Sequence, residues 1–122
     1  MKIRIHTDTT IAEVQQKFSE LYPFLKIDFY RKSKGDDSAL YEAADLIDSD
    51  EKFSEIATME QPIQIDIDPD RTVAQVESEC YEKLGIAMQV SRKSGSVWLQ
   101  TSKTDYRTLQ MQNESGEAMS AM

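Results

Sequence analysis

Asp66, Asp68, Asp70 and Glu77 stand at the first, third, fifth and twelfth positions of a calcium-loop count within IQIDIDPDRTVAQVE, residues 63–77. Carboxylates at that spacing can wrap a hard cation in oxygen ligands. Two features oppose such a site. A calcium loop needs glycine at its sixth position for a sharp turn, where this chain has Arg71, with Pro69 two places earlier. A helix should also enter the loop, whereas Ile63, Ile65 and Ile67 alternate with Gln64, Asp66 and Asp68, the period of a strand with one buried face. No metal is expected here.

Other reactive side chains are few. Cys80 is the single cysteine, so it has no internal disulfide partner, and Glu77, Glu79 and Glu82 around it disfavour a thiolate. His6 is the single histidine, placed in the alternating run KIRIH with no nucleophile beside it. Carboxylate pairs occur at Asp36-Asp37, Asp45 with Asp48, and Asp50-Glu51. None joins a nucleophile, a histidine or a glycine-rich phosphate loop in a catalytic set. The expectation is a protein that is not an enzyme and carries no cofactor.

The charge is unevenly spread. Net charge is −8, yet residues 36–82 hold 15 of the 22 acids against two bases, Lys52 and Arg71, a balance of −13 that leaves +5 for the remainder. Opposite-charge faces of two copies could then meet head to tail. Basic turns recur at Arg31, Lys32 and Lys34 and at Arg92 and Lys93, with Trp98, Tyr106 and Arg107 close in sequence. Cations beside Ser, Gly and aromatic rings are the ingredients of a phosphate or nucleic-acid contact. The overall pI near 4.6 argues against nucleic acid. Trp98, with Val97 and Leu99 beside it, reads as a core or sheet-face residue rather than a ligand platform; if it points outward, it is the best single anchor for a protein interface.

These residues must be positioned by a scaffold that repeats. IRIHTDTTIAEVQQKF, residues 3–18, aligns with IDIDPDRTVAQVESEC, residues 65–80, at a constant offset of 62. Each copy opens with an alternating strand. Thr10 with Glu13, and Thr72 with Gln75, form a T-x-x-E/Q capping box and so start two helices. Ile11, Val14, Phe18 and Leu21, then Val73, Val76, Cys80 and Leu84, keep the spacing of a core-facing stripe, ended by Pro23 and Gly85. Apolar strands LKIDFY and IAMQVS follow, with one residue lost from the second copy, and each runs into RKSKG or RKSG.

Two βαβ-like units result, about residues 2–35 and 63–101. Ser94-Gly95 marks a turn before SVWLQTS, making 86–101 a hairpin. An acidic connection, 36–62, is expected to be helical over 38–48, with Leu40, Ala43, Ala44 and Ile47 on one side. The Gln-, Ser-, Glu- and Met-rich tail, 110–122, is expected to fray. The fold class predicted is α+β, a ferredoxin-like sandwich of duplicated units with an extra C-terminal hairpin strand, β-grasp being the alternative. At 122 residues this is one domain, and no apolar run approaches the roughly 20 residues that cross a bilayer. MKIRIHTDTT lacks the apolar stretch of a signal peptide, so a cytoplasmic location without membrane contact is expected.

PFLKIDFY at 23–30 together with VSRKSGSVWLQTSKTDYRTLQMQNESG at 90–116 resembles a family of small Bacteroidetes proteins of unknown function. Their C-terminal pattern is close to F-R-K-S-G-x-x-W-L-E-T-T-x-T-D-x-W-T-L-x-x-Q-N. Ser91, Gln100 and Arg107 depart from it, and the resemblance implies no activity. A fainter similarity to β-grasp, ubiquitin-like domains rests on Thr10-Ile11, Thr72-Val73 and Thr108-Leu109. The functional expectation is a protein-interaction module, binding another protein or itself. The alternative is an anionic-ligand or nucleic-acid domain using Arg31, Lys32, Arg92 and Lys93.

Overall fold

A computed structural model describes residues 1–31, 45–57, 59 and 61–120. In chain order these form β1 (Lys2–Ile5), α1 (Ile11–Leu21), β2 (Leu25–Tyr30), α2 (Phe53–Ile56), β3 (Ile63–Asp66), α3 (Val73–Leu84), β4 (Ala87–Ser94), β5 (Val97–Gln100), a 3-10 turn (Ser102–Thr104) and α4 (Leu109–Ser120). The fold is α+β, as the alternating and helical periods predict. It is compatible with a ferredoxin-like or a β-grasp-like arrangement. Its strands form two small antiparallel sheets, β1–β3 and β2–β4–β5.

The pairing places equivalent positions of the two halves opposite each other. Ile3 faces Ile65, 62 residues later, and Asp28 faces Gln89, 61 residues later. Antiparallel strands centred on such pairs exchange places under a half-turn. The stripes of α1 and α3 enter one core with both sheets: Ile11, Val14 and Phe18, and Val73, Val76, Cys80 and Leu84, all buried. Ile3, Ile5, Ile65 and Ile67 from the β1–β3 side of the chain and Leu25, Ile27, Phe29, Met88 and Val90 from β2 and β4 belong to the same cluster. Removing a phenylalanine such as Phe18 or Phe53 from water entirely stabilises the fold by roughly 2–3 kcal/mol.

Leu21 departs from the expected stripe and is exposed. The helix stops at Leu21, ahead of Pro23, and Tyr22 leaves the helical path to take the core position instead. Its ring packs against Phe18 at 5.3 Å between centroids.

Helix termini explain how distant segments are held. The first two amides of α1 donate to Glu51 and Ser49 carbonyls at 3.0 and 2.8 Å, and those of α3 to Arg107 and Asp105 carbonyls at 3.0 and 2.8 Å. The third amides, Glu13 and Gln75, go to Thr10 and Thr72 hydroxyls. In return Phe53 and Ser54 donate to Thr9 and Thr7, and Leu109 and Gln110 donate to Arg71 and Pro69. Both core helices are thus clamped by a turn from elsewhere in the chain, which satisfies the donors that an isolated helix leaves orphaned.

The tail does not fray: 109–120 is helix α4, packed on β4 and β2. Its buried side is mainly polar, which the apolar-stripe criterion cannot register. Leu109 and Gln112 are fully buried. Gly116 brings the helix backbone against Phe24, where an added Cβ would lie 2.9 Å from the Phe24 Cβ and carbonyl oxygen. Asn113 accepts the Phe24 amide at 2.9 Å. Most of the expected 38–48 helix lies outside the described residues. At its end Leu46 forms an extended bridge to Tyr30, and the Ile47 amide donates to Phe29 at 2.8 Å.

Candidate functional site

The antiparallel register of β2 and β4 separates the two basic turns. Leu25 pairs with Arg92 and Tyr30 with Ala87, so Arg31 and Arg92 lie at opposite ends of the sheet, on the order of 20 Å apart along six strand residues. Arg31 approaches Glu51 at 4.0 Å. Lys32 lies outside the described residues. Arg92 runs beneath α4, donating to the Gln112 amide oxygen at 3.2 Å, and the Lys93 amide donates to Phe24. Among the described residues, Arg31 therefore does not converge with Arg92 and Lys93 on one pocket.

Among the described residues the helix N-termini offer anions no alternative site. Amides that bind phosphate in other folds are here bonded to turn carbonyls and threonine hydroxyls. The interior void against Ile3, Phe18 and Met88 is apolar and about 10 Å³, room for no more than a water molecule. A surface groove of about 320 Å³ between Lys2 and Lys83 is open, and its inner cations are engaged. Glu79 takes Arg71 on one oxygen and Lys83 on the other, the latter at 2.7 Å. Arg71 and Lys83 also donate to the Asp66 and Gln64 carbonyls at 2.8 and 2.7 Å, fastening α3 to β3.

Three carboxylates of the calcium-loop count are likewise engaged, Asp68 by the N-terminal ammonium, while Asp70 is exposed. Asp66 Oδ1 accepts the Asp68 amide at 3.0 Å, while Glu77 turns inward and accepts the Val90 amide at 2.9 Å. Gln15, at the equivalent place on α1, reaches the Ile27 carbonyl and Asp28. Each helix thus fills the strand edge where the neighbouring backbone departs. Among the described residues no group of three or more metal-ligating side chains forms. Cys80 is buried, and His6 is exposed.

What remains is a surface on β5. Gly95 has φ +62° and Ser96 does not enter the left-handed region, so the two-residue turn that joins β4 to β5 has the II′ pattern. Beyond it Val97, Trp98 and Leu99 are consecutively exposed at 54, 40 and 43%. Across the hairpin Trp98 faces Lys93 and Leu99 faces Arg92. Lys26 reaches across the sheet to place its ammonium 5.4 Å from the Trp98 ring centroid, a cation–π contact. Tyr106, 66% exposed, projects from the turn whose carbonyls clamp α3, with the Arg107 guanidinium 5.9 Å from its ring.

Of the sequence candidates, Arg92, Lys93 and Trp98 share the β4–β5 hairpin, Tyr106 and Arg107 share the α3 clamp, and Arg31 stands apart. Sequence reasoning missed Lys26, Val97 and Leu99. Only the strand register brings Lys26 to Trp98, and nothing local in the sequence announces it. No helix among the described residues is long and apolar enough to cross a membrane. No family model matches the chain, and neither a curated protein nor a solved structure matches it.

Proposed function

We propose that this protein is a non-enzymatic protein-interaction module whose contact surface is the outer edge of β5. The observation that carries the reading is the run Val97-Trp98-Leu99, three large apolar side chains exposed in succession on a strand paired on one side only among the described residues. Folded chains ordinarily protect such an edge, because its unpaired backbone and apolar surface invite another chain. Trp98, braced by Lys26, has the character of an interface anchor. The anionic-ligand reading loses support, since its described cations, Arg31 against Arg92 and Lys93, stand at opposite ends of the sheet.

Affinity capture from an extract of the source cells tests the reading. A partner retained by the wild type and lost with Leu99→Lys, while Leu21→Lys on an exposed helical position retains it, supports the β5 surface. Equal capture by all three proteins overturns it. In a self-associating version, the acidic turn Asp48–Glu51 of one copy meets the basic hairpin of another. Light-scattering mass at low and high salt checks it, and a monomer at high micromolar concentration in both rules it out.

A further inference from the structure

The partner's shape and charge can be read from the β5 edge. Thr101 donates its amide to Val90 at 3.1 Å, and the β4–β5 register makes Leu99–Arg92 the next bonded pair along. Lys93 donates instead to Phe24, on the β2 side, which fits the same alternation. It follows that Leu99 directs its amide and carbonyl at β4, while Trp98 directs both away from the sheet. Val97 and Leu99 project from one face of the strand and Trp98 from the other. An extended chain laid alongside would exchange two backbone bonds with Trp98 and meet apolar side chains on one face.

Charge selects among extended chains. Residues 86–107 carry four bases, Arg92, Lys93, Lys103 and Arg107, and one acid, Asp105, in a chain whose net charge is −8. Lys93 stands opposite Trp98, and Lys26 from β2 covers its ring while lying 3.5 Å from the Asp28 carboxylate, so two bases meet one acid and Trp98's face of the edge keeps a net positive charge. Area selects as well. Three partly exposed side chains offer on the order of 250 Å², well short of the about 800 Å² per partner typical of a stable dimer and enough for a short segment.

Resting on the interaction-module reading, we infer that the β5 edge captures an extended acidic segment of a partner protein by strand addition, with alternating apolar and acidic side chains. Its apolar residues lie over Val97 and Leu99, and its carboxylates lie on the Trp98 face toward Lys26 and Lys93.

The test titrates the ¹⁵N-labelled full chain with the capped heptapeptide Glu-Val-Glu-Ile-Glu-Val-Glu. The expected result is amide shifts centred on Val97–Thr101, slowed hydrogen exchange at Trp98, and binding weakened at least tenfold in 0.5 M salt. A heptapeptide with lysine in place of each glutamate should bind at least tenfold more weakly. Of two heptapeptides N-methylated on opposite edges, one should keep its affinity and the other should lose it, a readout that leaves the protein unaltered. Equal binding of the lysine peptide, equal tolerance of both methylation patterns, or shifts centred elsewhere would each overturn the inference. So would β5 amide shifts that depend on protein concentration without peptide, which would make a second copy the occupant. An unaltered spectrum, with capture from the extract still dependent on Leu99, would remove this inference and leave the interaction-module reading standing.

Discussion

The Tyr22 hydroxyl donates to the Ile67 carbonyl at 2.5 Å, joining the end of α1 to the segment that follows β3, 45 residues further along the chain. Burial, then the nearby carboxylates of Asp68, Asp66 and Asp70, push the phenol up to about 12 from its ordinary 10. The hydroxyl therefore holds its proton more tightly in the folded chain than in the unfolded one. Its stabilisation is fully present below pH 10 and is lost as pH rises through about 12.

Two units of difference correspond to about 2–3 kcal/mol between the protonation states. Tyr22→Phe removes the bond, at a loss of about 1 kcal/mol near neutral pH, and also removes the alkaline liability. Urea denaturation at pH 8 and at pH 11.5 should show the wild type's advantage over Tyr22→Phe shrinking between the two. An advantage that stays constant would mean that Tyr22 does not titrate as its surroundings dictate.

Helix α4 depends on a backbone approach that only glycine permits. An added Cβ at Gly116 meets the Phe24 Cβ and carbonyl oxygen at 2.9 Å, and the Arg92 Cγ at 3.1 Å. Alanine favours helix by about 1 kcal/mol over glycine, so Gly116→Ala sets propensity against packing. The close contact involves backbone and a stiff Cβ, which have little room to yield, and packing should prevail with a net loss of about 1–2 kcal/mol. Hydrogen exchange should speed up selectively along residues 109–120. A stabilised Gly116→Ala would show that α4 sits farther from Phe24.

Gln112 is a polar counterpart of that contact. Fully buried, it donates to the Thr104 carbonyl and hydroxyl at 2.8 and 2.9 Å and accepts from Arg92 at 3.2 Å. Gln112→Leu keeps apolar bulk and strands those partners, so denaturation should show a loss of about 2–3 kcal/mol. A neutral result would mean that water replaces the amide.

Why the tail was misread and the core was not follows from which interactions carry a side-chain signature. The stripes Ile11, Val14, Phe18 and Val73, Val76, Cys80, Leu84 announce themselves by period, and the strands by alternation. The clamps on α1 and α3 do not, because they are made by backbone carbonyls of Ser49, Glu51, Asp105 and Arg107, which any residue can supply. The turn segments DSDEKF and TDYRTL accordingly occupy matching roles with no identical residue at any matched position. Helix α4 did leave one sign. Thr108 accepts the Met111 amide at 3.1 Å, so Thr108-Leu109 begins a helix as Thr10-Ile11 and Thr72-Val73 do. Of the β5 surface, Trp98, Arg92 and Lys93 were legible as types. Their meeting with Lys26 was set by register, a property of strand pairing across more than 60 residues.

Glu79 makes the acid side of stability testable. Burial alone would raise its carboxyl, but bonds from Lys83 and Arg71, together with their charges, outweigh it and hold the group below the ordinary range. A depressed folded value stabilises the fold above the unfolded range near pH 4.3, and that contribution is lost as pH falls through the folded value. Glu79→Gln should lower stability by about 1 kcal/mol at neutral pH, with the gap closing under acid. Thermal unfolding of both proteins at pH 7 and pH 3 checks this, and a gap that persists at pH 3 would assign the effect to packing.

The two core helices begin alike and are capped unequally. Thr72 accepts the Gln75 amide at 3.1 Å while the Gln75 side chain accepts the Thr72 amide at 2.9 Å, the full reciprocal box. Thr10 accepts the Glu13 amide at 3.3 Å, and Glu13 answers only the Thr10 hydroxyl, at 3.2 Å. Removing a capping hydroxyl ordinarily costs about 1 kcal/mol. Thr72→Ala also frees the glutamine that the box holds in place, so its loss should exceed that of Thr10→Ala by a few tenths of a kcal/mol. Gln75→Ala tests the asymmetry directly: it should destabilise more than Glu13→Ala, because only Gln75 accepts a backbone amide. Since the first two amides of both helices are held by turn carbonyls, neither threonine variant should unfold its helix. If Thr72→Ala abolished α3 protection in hydrogen exchange, the clamp from Asp105 and Arg107 would be the weaker partner, and the side-chain cap would be what holds the helix start.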